Sequence, residues 1–252
     1  MTEPTIIAET EEYLVVDKPA GMATEPLYHE QPLLNKVEGS RGTPHVPTLC
    51  DWLIENKYID PNGWLEGERC GVVHRLDTDT SGVVIWAKNK SAQDRLKLLW
   101  QGRQVEKTYL ALVVGECDEK GEIELALARD NKKNRQKVVW INDGQGRPAI
   151  TNYWRQATSQ VGAQKVSLVE AHPITGRTHQ IRVHFKAIGH PLVGDKLYGE
   201  KSTIDIAKTL KLNRHFLHAS KICLPVYKEK VCYEATLPVE LTAALNQADI
   251  SI

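Results

Sequence analysis

The residues of this chain best suited to chemistry lie in GVVHRLDTDTSGVVIWAKN, Gly71 to Asn89. There two apolar runs enclose His74, Arg75, Asp77, Thr78, Asp79, Thr80 and Ser81. An aspartate set among apolar residues faces desolvation, which raises its pKa above the usual value of about 3.9 and neutralises it unless a cation lies alongside. Paired, it stays an anion and can serve as nucleophile or base. Arg75 is close in sequence. A second set of cations, Arg177, His179 and Arg182, falls at one end of TGRTHQIRVHFKAIGHPLVGD, Thr175 to Asp195. Residue types alone leave two uses for Asp77, a structural ion pair and a reactive carboxylate.

Other chemistries find less support. Asp77 and Asp79 share one side of an extended segment, as in a D-x-D magnesium site, but neither a third acidic ligand nor a phosphate loop accompanies them. His179 and His184 are five apart, a spacing that suits neither a helical metal pair nor one face of a strand. The G-x-S-x-G, G-x-x-x-x-G-K-[ST] and G-x-G-x-x-G patterns are absent, so the hydrolase, NTPase and dinucleotide readings lose their best signals. No metal and no cofactor is expected.

These groups need elements to position them. Residues 5–18 read as a strand hairpin before Pro19 and Gly21, and 24–47, rich in Pro and Gly, as a long loop that shapes substrate entry or is a neutral insertion. TLCDWLIENK gives a helix with Thr48 as its start signal. SAQDRLKLLWQGRQV gives a second, with Ser91 as N-cap and an end near Gly102. KTYLALVVGE, EIELALA, KVVWI, AITNYWRQA, KVSLVEAHP, KICLPV and KVCYEATLP read as strands. Between them, Ile181, His184, Phe185 and Ile188 recur at helical offsets after Thr178 as N-cap and before Gly189 as a stop. Cations at a helix N-terminus oppose the macrodipole, a cost better tolerated where an anion is to be held. Many strands with scattered helices imply an α+β fold built on a large mixed, mainly antiparallel sheet with flanking helices.

At 252 residues the chain suits one compact catalytic unit, with two lobes around one cleft as a variant of it. Its apolar runs stop near six residues, far short of a membrane span of about 20. Acidic residues precede the first apolar run, unlike a secretory leader. The five cysteines are widely spaced, with no C-x-x-C, and indicate neither a disulfide framework nor a zinc knuckle; a reducing cytoplasm is expected. Net charge is zero, but residues 1–70 carry 13 acidic and 5 basic side chains, and the rest 19 and 27. That asymmetry leaves room for a basic face, with clusters at 131–137 and 201–221.

HRLDTDTSG, His74 to Gly82, resembles the H-R-L-D-x-x-T-S-G signature of RluA-type RNA pseudouridine synthases. Four further matches follow the family's order: VVDKPAGM (15–22), EKTYLALVVG (106–115), TGRTHQIRVH (175–184) with GHPLVGDKLYG (189–199), and RHFLHAS (214–220). The resemblance spans nearly the whole chain. It implies the pseudouridine synthase fold with a central catalytic cleft, and isomerisation of a uridine in ribosomal or transfer RNA to pseudouridine.

It also implies roles. Asp77 matches the catalytic aspartate, a nucleophile on ribose C1′ or on the uracil ring. Arg182 would pair with Asp77, and Tyr109 would stack on the target base and assist proton removal at C5. The nucleotide must be flipped out of its stack, and Arg75 resembles the arginine that fills the space it leaves. Leu76 would help close a dry pocket, and His74 would hold a hydrogen-bonded place there as part of substrate binding rather than as acid or base. Thr78, Asp79, Thr80 and Ser81 are expected to fix the loop through local hydrogen bonds, and Gly194, Asp195 and Tyr198 to form a turn supporting the cleft. Arg177, Lys132, Lys133 and Arg135 are expected on the RNA path.

Many relatives carry an N-terminal S4 domain. Here the pattern starts near residue 6, so RNA recognition is expected from the catalytic domain itself, as a monomer, away from membranes. The alternatives are a non-catalytic RNA-binding protein that retains the fold, against which Asp77, Tyr109 and Arg182 are all present, and a hydrolase using Asp77 and Asp79, which would need a second acid at a suitable distance.

Overall fold

A computed structural model describes residues 2–25, 46–65, 68–130, 135–139, 146–226 and 229–251. The fold is α+β. The chain divides into two compact units, one of Met1–Val105 with Cys223–Ala235, the other of Glu106–Ile222 with Thr236–Ile252.

In the first unit, β1 (Thr5–Glu9), β2 (Tyr13–Lys18) and β3 (Ser81–Ala87) pair antiparallel, with Val15 opposite Ile85 and Val16 opposite Val84. Every residue of β3 is buried, which explains why SGVVIWA is continuously apolar or small instead of alternating. Helix α1 (Leu49–Glu55) starts at Thr48, as expected, in a reciprocal capping box with Asp51. Helix α2 (Lys90–Gln101) packs on β3 and ends at Gly102. Its cap is Asn89, whose side chain accepts from Ala92 N, and Ser91 lies inside the first turn. Asparagine two residues earlier satisfies the first free amides equally well, so the helix starts sooner.

The second unit contains β4 (Glu106–Val114), β5 (Lys120–Asp130), β6 (Arg135–Val139), β7 (Arg147–Val161) and β8 (Gln164–Pro173), in the order β4-β8-β7-β5-β6. The pairs β4–β8, β8–β7, β7–β5 and β5–β6 are antiparallel. Side chains alternate across the sheet. Ala111, Val113, Val169 and Ala171 face helix α3 (Gln180–Ala187) through Ile181 and Phe185. Leu112, Val166 and Leu168 face the opposite way, onto α4 (Lys201–Thr209) and α5 (Val239–Gln247) through Ile206, Leu241 and Leu245. Both faces are therefore covered, and the two covering helices α4 and α5 are additions to the elements expected from sequence.

Helix α3 is preceded by His179, in the left-handed conformation with φ 55°, and not by Thr178. His179 makes no side-chain cap hydrogen bond, because its ring is engaged elsewhere. Gly189, with φ 85°, ends the helix as expected.

Strand β9 (Leu217–Val226) leaves the second unit and enters the first, where it pairs with β10 (Glu229–Glu234). That pairing brings Cys223 and Cys232 together in a disulfide. The expectation of no disulfide is corrected here: cross-strand register, not sequence spacing, makes the two cysteines neighbours. Cys50, Cys70 and Cys117 are buried thiols. Among the described residues no helix is long and apolar enough to cross a membrane, and no cluster of three His, Cys, Asp or Glu side chains could hold a metal.

Candidate active site

In the first unit the polar knot is an irregular loop leading into β3, and its backbone is clasped from residues 18–24. Thr24 Oγ1 donates to Leu76 O at 2.9 Å and accepts from Leu76 N at 3.1 Å. Gly21 N donates to Thr78 O at 2.9 Å. Lys18, 0 % exposed, donates its ammonium to Pro19 O, Met22 O and Thr78 O. Burying a lysine is expensive unless its donors are satisfied, and here three carbonyls of the two adjoining loops take them. Thr80 N closes a turn onto Asp77 O at 3.0 Å, and Thr80 and Ser81 are buried. Within this frame Asp77 is half-buried and Asp79 exposed.

The neighbours of Asp77 are divided between core and surface. Leu76 is buried. Arg75 is exposed, with Nη1 3.3 Å from Glu25 Oε1, and the same carboxylate pairs with Arg69. His74 accepts from Ile85 N at 2.9 Å through Nε2 and stacks on Trp100 with centroids 4.7 Å apart. Those bonds tie the loop to β3 and α2, in keeping with a hydrogen-bonded histidine.

In the second unit Tyr109 lies on β4 opposite Ala171, on the sheet face covered by α3. Lys107, two residues earlier, shares that face. Burial pushes the Lys107 amine down to about 8, and its Nζ reaches Thr175 O at 3.4 Å. The turn before α3 is pinned by Gln180, which accepts from Thr175 Oγ1 and Arg177 N and donates to Ile150 O and Thr151 Oγ1. Arg177 donates through Nε to Pro148 O.

Arg182 is held by Asp195 in a two-pronged ion pair, Nε to Oδ2 at 2.7 Å and Nη2 to Oδ1 at 2.9 Å. Burial works to raise the Asp195 pKa, but the hydrogen bonds and charge of Arg182, with the amides of Tyr198 and Leu197, outweigh it and hold the carboxyl below its ordinary value. Arg182 also lies over the Tyr198 ring, its Cζ 5.1 Å from the centroid. Arg135 approaches the same ring at 6.0 Å and donates to Leu197 O. Lys132, Lys133 and residues 26–45 of the expected loop lie outside the described residues.

Sequence reasoning did not identify Asp195 as a partner of Arg182, although both belong to matched motifs. It also passed over Lys18 and Thr24, which only the backbone geometry shows to be holding the Asp77 loop.

Residues 12–187 match the family model described as RNA pseudouridylate synthase. The chain belongs to the RNA pseudouridylate synthase family. Its enzyme class is accordingly that of an isomerase converting uridine in RNA to pseudouridine. Among pseudouridine synthases, it is 34% identical over 250 residues to ribosomal large subunit pseudouridine synthase D of Zymomonas mobilis, covering 98% of this chain and 73% of that protein. It is also 34% identical to the dual-specificity RNA pseudouridine synthase RluA of Vibrio parahaemolyticus, covering 86% of this chain and 76% of that one. The solved structure of human RNA pseudouridylate synthase domain containing 1 matches with a TM-score of 0.69 at 27% identity, over 96% of this chain and 87% of its own.

Proposed function

We propose that this pseudouridine synthase isomerises a flipped-out uridine of a structured ribosomal or transfer RNA, with Asp77 as nucleophile, Arg182 as its cationic partner and Tyr109 against the base. In the reaction the N1–C1′ bond breaks, uracil turns in place, and a C5–C1′ bond forms. The C5 proton is lost, N1 regains one, and no redox or cofactor chemistry is required. Asp77 attacks either C1′ or the uracil ring. Arg182 keeps it ionised, Tyr109 stacks on the base and assists removal of the C5 proton, and Leu76 excludes water that would hydrolyse the intermediate.

Arg75 fills the place of the everted nucleotide; a planar guanidinium can stack and bond phosphate at once. His74 and Arg177 line the substrate's path, and Lys132, Lys133 and Arg135 meet the RNA backbone. The names of the relatives include ribosomal large subunit and dual-specificity synthases, which favours ribosomal RNA first. The enzyme works as a cytoplasmic monomer.

The observation that carries this reading is the clasp of Lys18, Gly21 and Thr24 on Leu76 and Thr78: the backbone on both sides of Asp77 is fixed by hydrogen bonds, while Asp77 itself is only half-buried. A merely structural ion pair needs no such frame; a reacting group does. Asp77→Asn is expected to abolish pseudouridine formation while RNA affinity stays within about threefold, because the phosphate contacts remain. Turnover near that of the wild type would defeat the assignment. Mapping pseudouridines in total RNA from cells with and without the gene identifies the target.

A further inference from the structure

Arg182 is more constrained than a simple ion pair requires. Its Nε–Nη2 edge meets both oxygens of Asp195, a side chain with 0% exposure. Asp195 is in turn fixed by accepting from Leu197 N and Tyr198 N, both at 2.9 Å. The turn that carries it tolerates little change: Gly194 has φ +78°, and a Cβ there would lie 2.2 Å from Arg214 O. On its face, Arg182 rests against the Tyr198 ring. The Tyr198 hydroxyl is itself held, 2.8 Å from His179 Nδ1 and 2.8 Å from the Gln136 amide that donates to it. Buried ion pairs contribute little net stability compared with apolar packing, so stability is a weak reason for this arrangement. Orientation is a better one, since a guanidinium held at one edge and one face has a single position.

We infer that Asp195 and Tyr198 are positioning residues of the isomerisation, which fix the Arg182 guanidinium by edge and face for its part beside the reacting carboxylate. This rests on the role proposed above for Arg182. Both residues act through Arg182 and touch neither base nor ribose. His179 supports them through the Tyr198 hydroxyl.

The test uses the full chain and total RNA from a strain lacking the gene, labelled with tritium at uridine C5, with release of tritium to water as readout. Asp195→Asn keeps the shape and removes the charge; kcat is expected to fall about 10- to 100-fold, as for other partners that orient a reacting group, with KM within about threefold. Tyr198→Leu is expected to act in the same direction. Each change is then repeated in an Arg182→Ala background, where a residue acting only through Arg182 causes no further loss. A wild-type kcat in Asp195→Asn, or the same fold-loss in both backgrounds, overturns the inference alone. An Arg182→Ala enzyme as active as the wild type overturns the role of Arg182 as well. Should Asp195→Asn fail to fold by circular dichroism, Tyr198→Leu in the two backgrounds decides by the same outcomes.

Discussion

Asp77, the nucleophile proposed above, illustrates how the backbone around a side chain is held by its neighbours. Thr24 Oγ1 both donates to and accepts from the Leu76 backbone, and all of these groups are buried. Thr24→Val keeps the volume but leaves an amide and a carbonyl unpaired, each at about 1–3 kcal/mol. We expect a chemical-denaturation loss of about 2–6 kcal/mol together with reduced turnover; a fully stable, fully active variant would show that the clasp is dispensable. His184 presents the opposite case. It is fully buried, neither ring nitrogen has a partner among the described residues, and burial pushes its pKa down to about 4. The unfolded chain takes up a proton as pH falls through about 6.5, whereas the folded chain resists until about 4. The stability associated with neutral His184 is thus complete above that window and is lost within it as pH falls, by roughly 3 kcal/mol at about 1.4 kcal/mol per pH unit. His184→Leu removes this dependence. Unfolding free energies of variant and wild type should therefore diverge by about that amount between pH 7 and pH 4, and a constant difference would mean that His184 is not held neutral.

At the scale of elements, local rules explain most boundaries and leave the exceptions informative. Asn89 caps α2 through Ala92 N, so Asn89→Ala should lower the midpoint of urea unfolding by the equivalent of about 1 kcal/mol without changing KM, whereas Ser91→Ala should leave the midpoint in place. Helix α3 has a poor start by those same rules. His179 makes no side-chain cap hydrogen bond, and Arg182 in the first turn opposes the helix dipole. What keeps α3 in place is its inner face, where Ile181 and Phe185 pack on Ala111, Val113, Val169 and Ala171, with Phe185 edge-on to Tyr153 at 5.2 Å. A helix secured by its core face can devote its N-terminal turn to Arg182 and His179. The helices α4 and α5 were not expected, since KSTIDIAKT reads first as a basic surface and only three of its residues, Thr203, Ile206 and Ala207, are buried.

For the whole molecule, neutral net charge conceals an excess of basic residues after residue 70, which suits a polyanionic substrate. Neutralising Lys132, Lys133 and Arg135 together should weaken RNA binding and flatten its salt dependence, read as log affinity against log salt; an unchanged slope would place these residues off the RNA path. By itself the sequence determined the family and the reaction class, because HRLDTDTSG and the segments matched with it keep the family's residues at fixed offsets within short stretches. It determined most strands and α3 as well, since burial on one or two faces imposes a local period on the residues. Tertiary structure alone decided which groups meet: Asp195 on Arg182, Tyr198 against its face, Lys18 and Thr24 on the loop of Asp77, and Cys223 opposite Cys232. Those partners are set by how strands register and turns close in space, and the chain's local periodicity carries no record of that.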